Sequence, residues 1–384
     1  MRFEFASAAR IVFGEGAVRE VAPAAAAMGR RALVVTGASR ERAAPLIAAL
    51  KAAGVACVSL AVAGEPTVEL VRDGARFARA EGCDLVVAMG GGSALDAGKA
   101  LAALMANSGD PLDYLEVVGR GQPLERTPAP SIAVPTTAGT GSEVTRNAVL
   151  ASPGHRVKAS LRSAAMLPHL AVVDPELTWD LPPAVTASTG LDALTQLIEP
   201  YVSTRANAMT DLYCVEGMRC AAAALPRVYA DGHDREARRD MAWASLLGGL
   251  ALANAGLGAV HGFAAPVGGM FPAPHGAVCA AVLPHAMDVN VRALRQRAAG
   301  SDALRRYGEV ARFLTGNPLA TAEDAVRWTA DICRRLAIPP LRTYGVRPED
   351  FAVLVEKAAK ASSMKTNPIA LTPEELAEII ARAA

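Results

Sequence analysis

The sequence predicts a parallel α/β domain followed by an all-α domain. Three observations carry that prediction. Short β-branched apolar runs alternate with helical stretches up to about residue 180, strand-like runs stop after that, and two glycine-rich turns follow strands.

The elements read in order. "ALVVTG" (32–37) is a strand and "RAAPLIAALKAAG" (42–54) is helical. "ACVSLAV" (56–62) is a strand, and "TVELVRDGARFARAEG" (67–82) has apolar residues at helical spacing. "DLVVAMG" (84–90), "SIAVPTT" (131–137) and "LAVVDP" (170–175) complete the strands. Such runs between helices imply βαβ units in a parallel, Rossmann-like sheet, whose ligands sit at the carboxyl ends of its strands. Leu181-Pro182-Pro183 can continue neither a helix nor a central strand, so the expected domains are 1–180 and 181–384. "GLDALTQLIEP" (190–200) reads as a helix start, and the last helix opens with Thr372 as N-cap, Pro373 and Glu375.

Composition excludes several functions. The chain has 384 residues, 52% of them hydrophobic and 20% charged, which is ample for two cores. Its 39 basic and 38 acidic residues nearly cancel, which argues against a nucleic-acid partner. Cys57, Cys83, Cys214, Cys220, Cys279 and Cys333 form no CxxC pair, so reduced thiols in a cytoplasmic protein are expected. "MRFEFASAAR" lacks the apolar segment of a signal peptide. From Met241 to Met287 no charged residue occurs over 47 positions. Gly, Asn and His interrupt that stretch and no basic flank orients it, so buried helices are expected there and no membrane partner.

Chemistry concentrates in three places. In "DLVVAMGGGSALDAGKA" a strand meets a glycine turn and then a helix start at Ser93, where free amides and the helix dipole attract phosphate. The pattern is neither GxGxxG nor a GKS loop. "VPTTAGTGSEVT" (134–145) crowds hydroxyls beside glycine after another strand, which suits a ribose or carboxamide. His261 and His275 lie in the uncharged stretch. They are either satisfied core histidines or, with Asp192, a two-histidine, one-carboxylate set for Fe(II) or Zn(II). Asp192 and Gln196 are four apart, on one helical face.

Together, "GGGSALDAGK", "PTTAGTGSEVT", "GLDAL", "GAVHG" and "PHGAV…LPH" resemble, in order and spacing, the iron-containing (group III) alcohol dehydrogenases. The resemblance spans essentially the whole chain. It implies an N-terminal dinucleotide-binding domain, a helical C-terminal metal and substrate domain, an active site in the cleft between them, and a homodimer or larger homo-oligomer. The implied activity is NAD(P)-dependent, metal-dependent interconversion of a small alcohol with its aldehyde or ketone.

Residue by residue, the resemblance implies that Gly91, Gly92 and Ser93 hold the pyrophosphate. Thr136, Thr137 and Thr140 would line the nicotinamide and its ribose, with Asp96 nearby and Lys158 reaching a ribose. Asp192, His261 and His275 match metal ligands and carry the catalytic role.

Three departures stand out. The usual fourth ligand, a His, is Gln196, a weak fourth ligand or a neighbour of the site. Zinc in similar glycerol dehydrogenases needs only one acid and two histidines, so Fe2+ or Zn2+ is still expected. A further His, often given a proton-transfer role, is Ala265. The acid after the first strand is Gly37, and with Ser39 and Arg40 beside it either NAD or NADP is expected, NADP slightly favoured.

Alternatives are a metal-independent maleylacetate reductase-like oxidoreductase, a dehydroquinate synthase-like lyase, or a non-catalytic dinucleotide sensor. Phe263, Met270, Phe271 and Cys279 are expected as apolar pocket lining.

Overall fold

Alternation along the strands assigns two faces to one sheet. In the computed structural model, which describes residues 2–384, the strands are β1 (Arg10–Phe13), β2 (Arg31–Thr36), β3 (Ala56–Ala61), β4 (Leu85–Gly90), β5 (Ser131–Pro135), β6 (Asn147–Ser152), β7 (Val157–Arg162) and β8 (Leu170–Val173). Leu33, Val35, Val86 and Ala88 face the helices Val68–Ala80 and Gly92–Ala106. Ala32, Val34, Leu85 and Val87 face Val21–Met28 and Ala44–Ala52. Burial on both faces is what a near-continuous apolar strand requires.

The sheet runs β1-β8-β5-β4-β2-β3, with every pairing parallel. From β2 the chain moves outward to β3, then returns to place β4 on the other side of β2. That reversal is the topological switch point, and its crevice lies at the carboxyl ends of β2 and β4.

Two features differ from the sequence reading. β1 is an additional strand, paired with β8 from Arg10↔Leu170 to Phe13↔Val173. β6 and β7 form a separate antiparallel hairpin between β5 and β8.

Residues 6–137 and 141–179 form one unit, and residues 2–5, 138–140 and 180–384 the other. The second unit is helical: Pro183–Val202, Ala208–Ala230, Arg235–Ala255, Ala259–Met270, His275–Arg297, Asp302–Thr315, Ala322–Arg335, Phe351–Lys360 and Pro373–Ala383. The helix carrying "GLDALTQLIEP" begins at Pro183, so Gly190 lies inside it and does not start it. Pro at the first helical position explains this, since its missing N–H has no helical partner there anyway. Thr372 and Glu375 form the reciprocal cap of the last helix.

The uncharged stretch belongs to three of these helices and is largely buried. Among the described residues no single helix is long and apolar enough to cross a membrane. The pair Arg235–Ala255 and Ala259–Met270 passes that test only together and is bent by 99°.

Candidate active site

Parallel strands put the turns after β2, β4 and β5 on one edge. Gly37, Ser39 and Arg40 follow β2; Gly91, Gly92 and Ser93 follow β4; Thr136 and Thr137 follow β5. A Cβ on Gly90 would lie 2.6 Å from the Ala94 Cβ and 3.2 Å from the Gly37 amide nitrogen, so glycine there lets the β2 and β4 turns close together. Gly91, extended, is the N-cap of Gly92–Ala106 and offers no side-chain cap. Ala94 and Leu95 donate to the Gly91 carbonyl, so the Gly92 and Ser93 amides are the ones placed to meet an anion. Thr137 Oγ1 lies 3.6 Å from where a Gly91 Cβ would be. Ser39 donates a 2.9 Å hydrogen bond to Glu41, an exposed carboxylate held below its usual range by its own backbone amide and by this hydroxyl.

Asp96 and Lys158 are already engaged. Asp96 accepts from the Ser142 hydroxyl at 2.5 Å and from the Val149 amide at 2.9 Å, and pairs with buried Lys99 at 3.1 Å. It thus ties the threonine loop and the hairpin to the Gly92–Ala106 helix. Lys158 Nζ lies 2.9 Å from Glu65. Thr140 counts with the helical unit, in the segment 138–140.

In the helical unit Asp192, His261 and His275 come together, with Cys279 as a fourth member; their donor atoms all lie within 4.8 Å of one another. Asp192 Oδ1 is 3.4 Å from His261 Nε2 and 3.7 Å from His275 Nε2, and the two rings are 5.4 Å apart. Cys279 Sγ is 3.7 Å from both Nε2 atoms. Its place is in this polar cluster, which corrects the expectation of apolar lining. Phe263 is wholly buried in the helical core.

The residues fit a divalent ion. Asp192 is 1% exposed, and its Oδ1 has no hydrogen-bond partner among the described residues. A buried carboxylate oxygen without a hydrogen bond is costly unless a cation meets it. Around it stand two imidazole nitrogens and a sulfur, all ordinary ligands of Zn(II). Burial pushes Asp192 toward its neutral form, yet the charges of His275 and His261 hold it down at about 2. Burial also opposes charge on His275, but the Cys279 sulfur and Asp192 carry it up to about 9.

Gln196 sits one turn after Asp192. Its Nε2 donates 3.2 Å to the Gly139 carbonyl, while its Oε1 is buried without a partner among the described residues. The carbonyl needs a donor, which fixes the amide with its oxygen left over. A Cβ on Gly139 would lie 2.8 Å from the Thr189 Cβ, so this approach requires glycine.

Residues 8–175 match the family model "Iron-containing alcohol dehydrogenase", and residues 186–384 match its C-terminal companion, "Fe-containing alcohol dehydrogenase family, C-terminal". The chain belongs to this family. Alcohol dehydrogenase 4 of Saccharomyces cerevisiae is 35% identical over 384 residues, covering 97% of this chain and 96% of its own. The 1,3-propanediol dehydrogenase of Citrobacter freundii is 37% identical over 319 residues, 82% of this chain and 79% of its own. Among solved structures, a 1,3-propanediol oxidoreductase superposes over the whole of both chains with a TM-score of 0.92 and 33% identity. A sulfoacetaldehyde reductase from Bifidobacterium kashiwanohense, in complex with NAD+, has a TM-score of 0.86 and 30% identity over 99% of this chain and 98% of its own.

In this family member the sequence reading did not name Glu199, and it named Cys279 only as apolar lining. Glu199 Oε1 accepts from the Val260 amide and Oε2 from His261 Nδ1, each at 2.7 Å. Gly258, at the N-cap of Ala259–Met270, has no side chain to cap with, so Glu199 and Asn367 supply that function from outside the helix. Cys279 had a legible signal: it stands four residues after His275, on the same helical face. All six cysteines are unpaired.

Proposed function

We propose that this protein is an NAD(P)-dependent, metal-dependent alcohol dehydrogenase or aldehyde reductase acting on a small alcohol–carbonyl pair. The observation that carries the reading is the buried, unpartnered Asp192 Oδ1 facing His261 Nε2 and His275 Nε2. Relatives named as propanediol and methanol dehydrogenases support the substrate class.

Asp192, His261 and His275 would hold the ion, with the free Gln196 Oε1 as a weak further donor. Bound there, a divalent ion supplies Lewis-acid polarisation of the substrate oxygen, and the nicotinamide accepts or delivers the hydride. Glu199 takes the Nδ1 proton of His261 in a hydrogen bond, which fixes the tautomer and leaves Nε2 as the donor atom. With the ion bound the imidazoles would be neutral, and the charge of the ion itself would keep Asp192 ionised. Without a histidine at Ala265, protons leave through water, a cofactor ribose hydroxyl or Gln196.

Residues 1–180 are proposed as the dinucleotide-binding domain and 181–384 as the metal and substrate domain. Gly91, Gly92 and Ser93 would cradle the pyrophosphate on the open helix N-terminus. NADP is proposed as the slightly preferred cofactor, because Gly37 places no carboxylate directly at the end of β2 and Arg40 offers donors, with Ser39 once its hydroxyl leaves Glu41. The test follows NAD(P)H absorbance with a panel of small aldehydes, using both NADH and NADPH. Turnover of uncharged aldehydes supports the reading; activity confined to maleylacetate and surviving chelation would replace it with the metal-independent reductase.

A further inference from the structure

We infer that Cys279 is the fourth ligand of this centre, so that the metal is held by one oxygen, two nitrogens and one sulfur and the site selects zinc over iron. The inference rests on the metal reading above and extends it to which ion is bound.

The geometry carries it. Bonds of about 2.0–2.3 Å to a tetrahedral zinc ion place neighbouring donor atoms about 3.3–3.6 Å apart. Four edges of the set stand at 3.4 Å for Asp192–His261 and 3.7 Å for Asp192–His275, Cys279–His261 and Cys279–His275. The remaining two edges, Asp192–Cys279 and His261–His275, close within 4.8 Å. Small inward movements of side chains complete a tetrahedron.

The surroundings agree with this geometry. Cys279 is fully buried on the helix His275–Arg297, one turn beyond His275, and its Sγ lies 3.7 Å from two imidazole nitrogens that already face Asp192. A thiol with a purely packing role needs no such neighbours. Gln196 competes poorly for the same place, because Gly139 engages its amide and its oxygen is a neutral donor.

Chemistry then sets the metal. Thiolate is a soft ligand and favours Zn(II) over Fe(II) relative to an all-N,O set. On binding, the Cys279 S–H bond is replaced by a metal–sulfur bond and the proton passes to solvent. Four protein atoms would then hold the ion, which predicts firmer retention of metal than an acid with two histidines alone, and the substrate oxygen would enter as a fifth ligand.

The test loads metal-free wild type, Cys279→Ser and Cys279→Ala with cobalt(II) and records near-ultraviolet and visible absorption. The expected result is a thiolate-to-cobalt charge-transfer band in wild type and its loss in both variants. Zinc-over-iron preference in competition should fall by about tenfold or more in the variants. Cobalt bound to wild type without that band, or variants that keep the wild-type metal preference, would overturn Cys279 as a ligand and leave the dehydrogenase reading standing. Wild type that takes up no cobalt would overturn both together. If the variants do not fold, the wild-type spectrum alone decides.

Discussion

Glu199 Oε2 accepts a 2.7 Å hydrogen bond from His261 Nδ1, and the second oxygen of the same carboxylate accepts the Val260 amide. One side chain thus caps a helix and aims the imidazole that the helix carries. Glu199→Gln keeps an oxygen for Val260 but loses the negative charge beside the ring. Metal affinity is expected to fall about 10- to 100-fold, with the fold retained. Competition against a chelator of known affinity measures this, and wild-type affinity in the variant would refute the aiming role.

The proposed NADP preference makes a prediction at Glu41. Its carboxylate stands 2.9 Å from the Ser39 hydroxyl, where a 2′-phosphate held by Ser39 and Arg40 would meet a like charge. Glu41→Gln is expected to lower KM for NADPH about three- to tenfold, with KM for NADH nearly unchanged. Equal changes for both cofactors would place the 2′-phosphate elsewhere.

Ala265 stands one helical turn after His261 and is partly exposed. Ala265→His places a group titrating near pH ~6.5 beside the site. The pH profile of kcat should gain an inflection in that region, while metal content stays the same. A superimposable profile would rule out a proton relay at this position.

His285 supplies a pH-dependent stability term. Its Nδ1 is buried without a partner among the described residues, and burial, then Arg382, pulls its pKa down to about 4. A depressed folded-state pKa contributes stability above the ordinary value near 6.5 that is lost as pH falls through 4. Between pH 6.5 and 4 wild type should therefore lose about 2 kcal/mol more than His285→Gln. Urea unfolding at several pH values reads the difference; parallel losses would show that His285 does not titrate in that range.

Much of this was legible from local pattern. The apolar runs at 32–37, 84–90 and 131–137 coincide closely with β2, β4 and β5, because strands buried on both faces need continuous apolar residues. β1 was missed because four residues, Arg10 to Phe13, carry little periodicity and their partner β8 lies far along the chain. Asp192, His261 and His275, named from the sequence, lie together in the structure. Glu199 follows Asp192 by two helical turns on the same face, but helical spacing alone cannot say that His261 packs there. Cys279 reads in the sequence only as apolar lining, because the sequence does not show that His275 opens a helix and so shares a face with Cys279.

The central claim is that a metal held by Asp192 and the two histidines is required for activity. The most direct measurement is elemental analysis of freshly purified protein, followed by aldehyde reduction before and after chelation. The account predicts stoichiometric zinc or iron, loss of turnover on chelation and recovery on adding the ion back. Protein without stoichiometric metal that keeps full activity in chelator would contradict it.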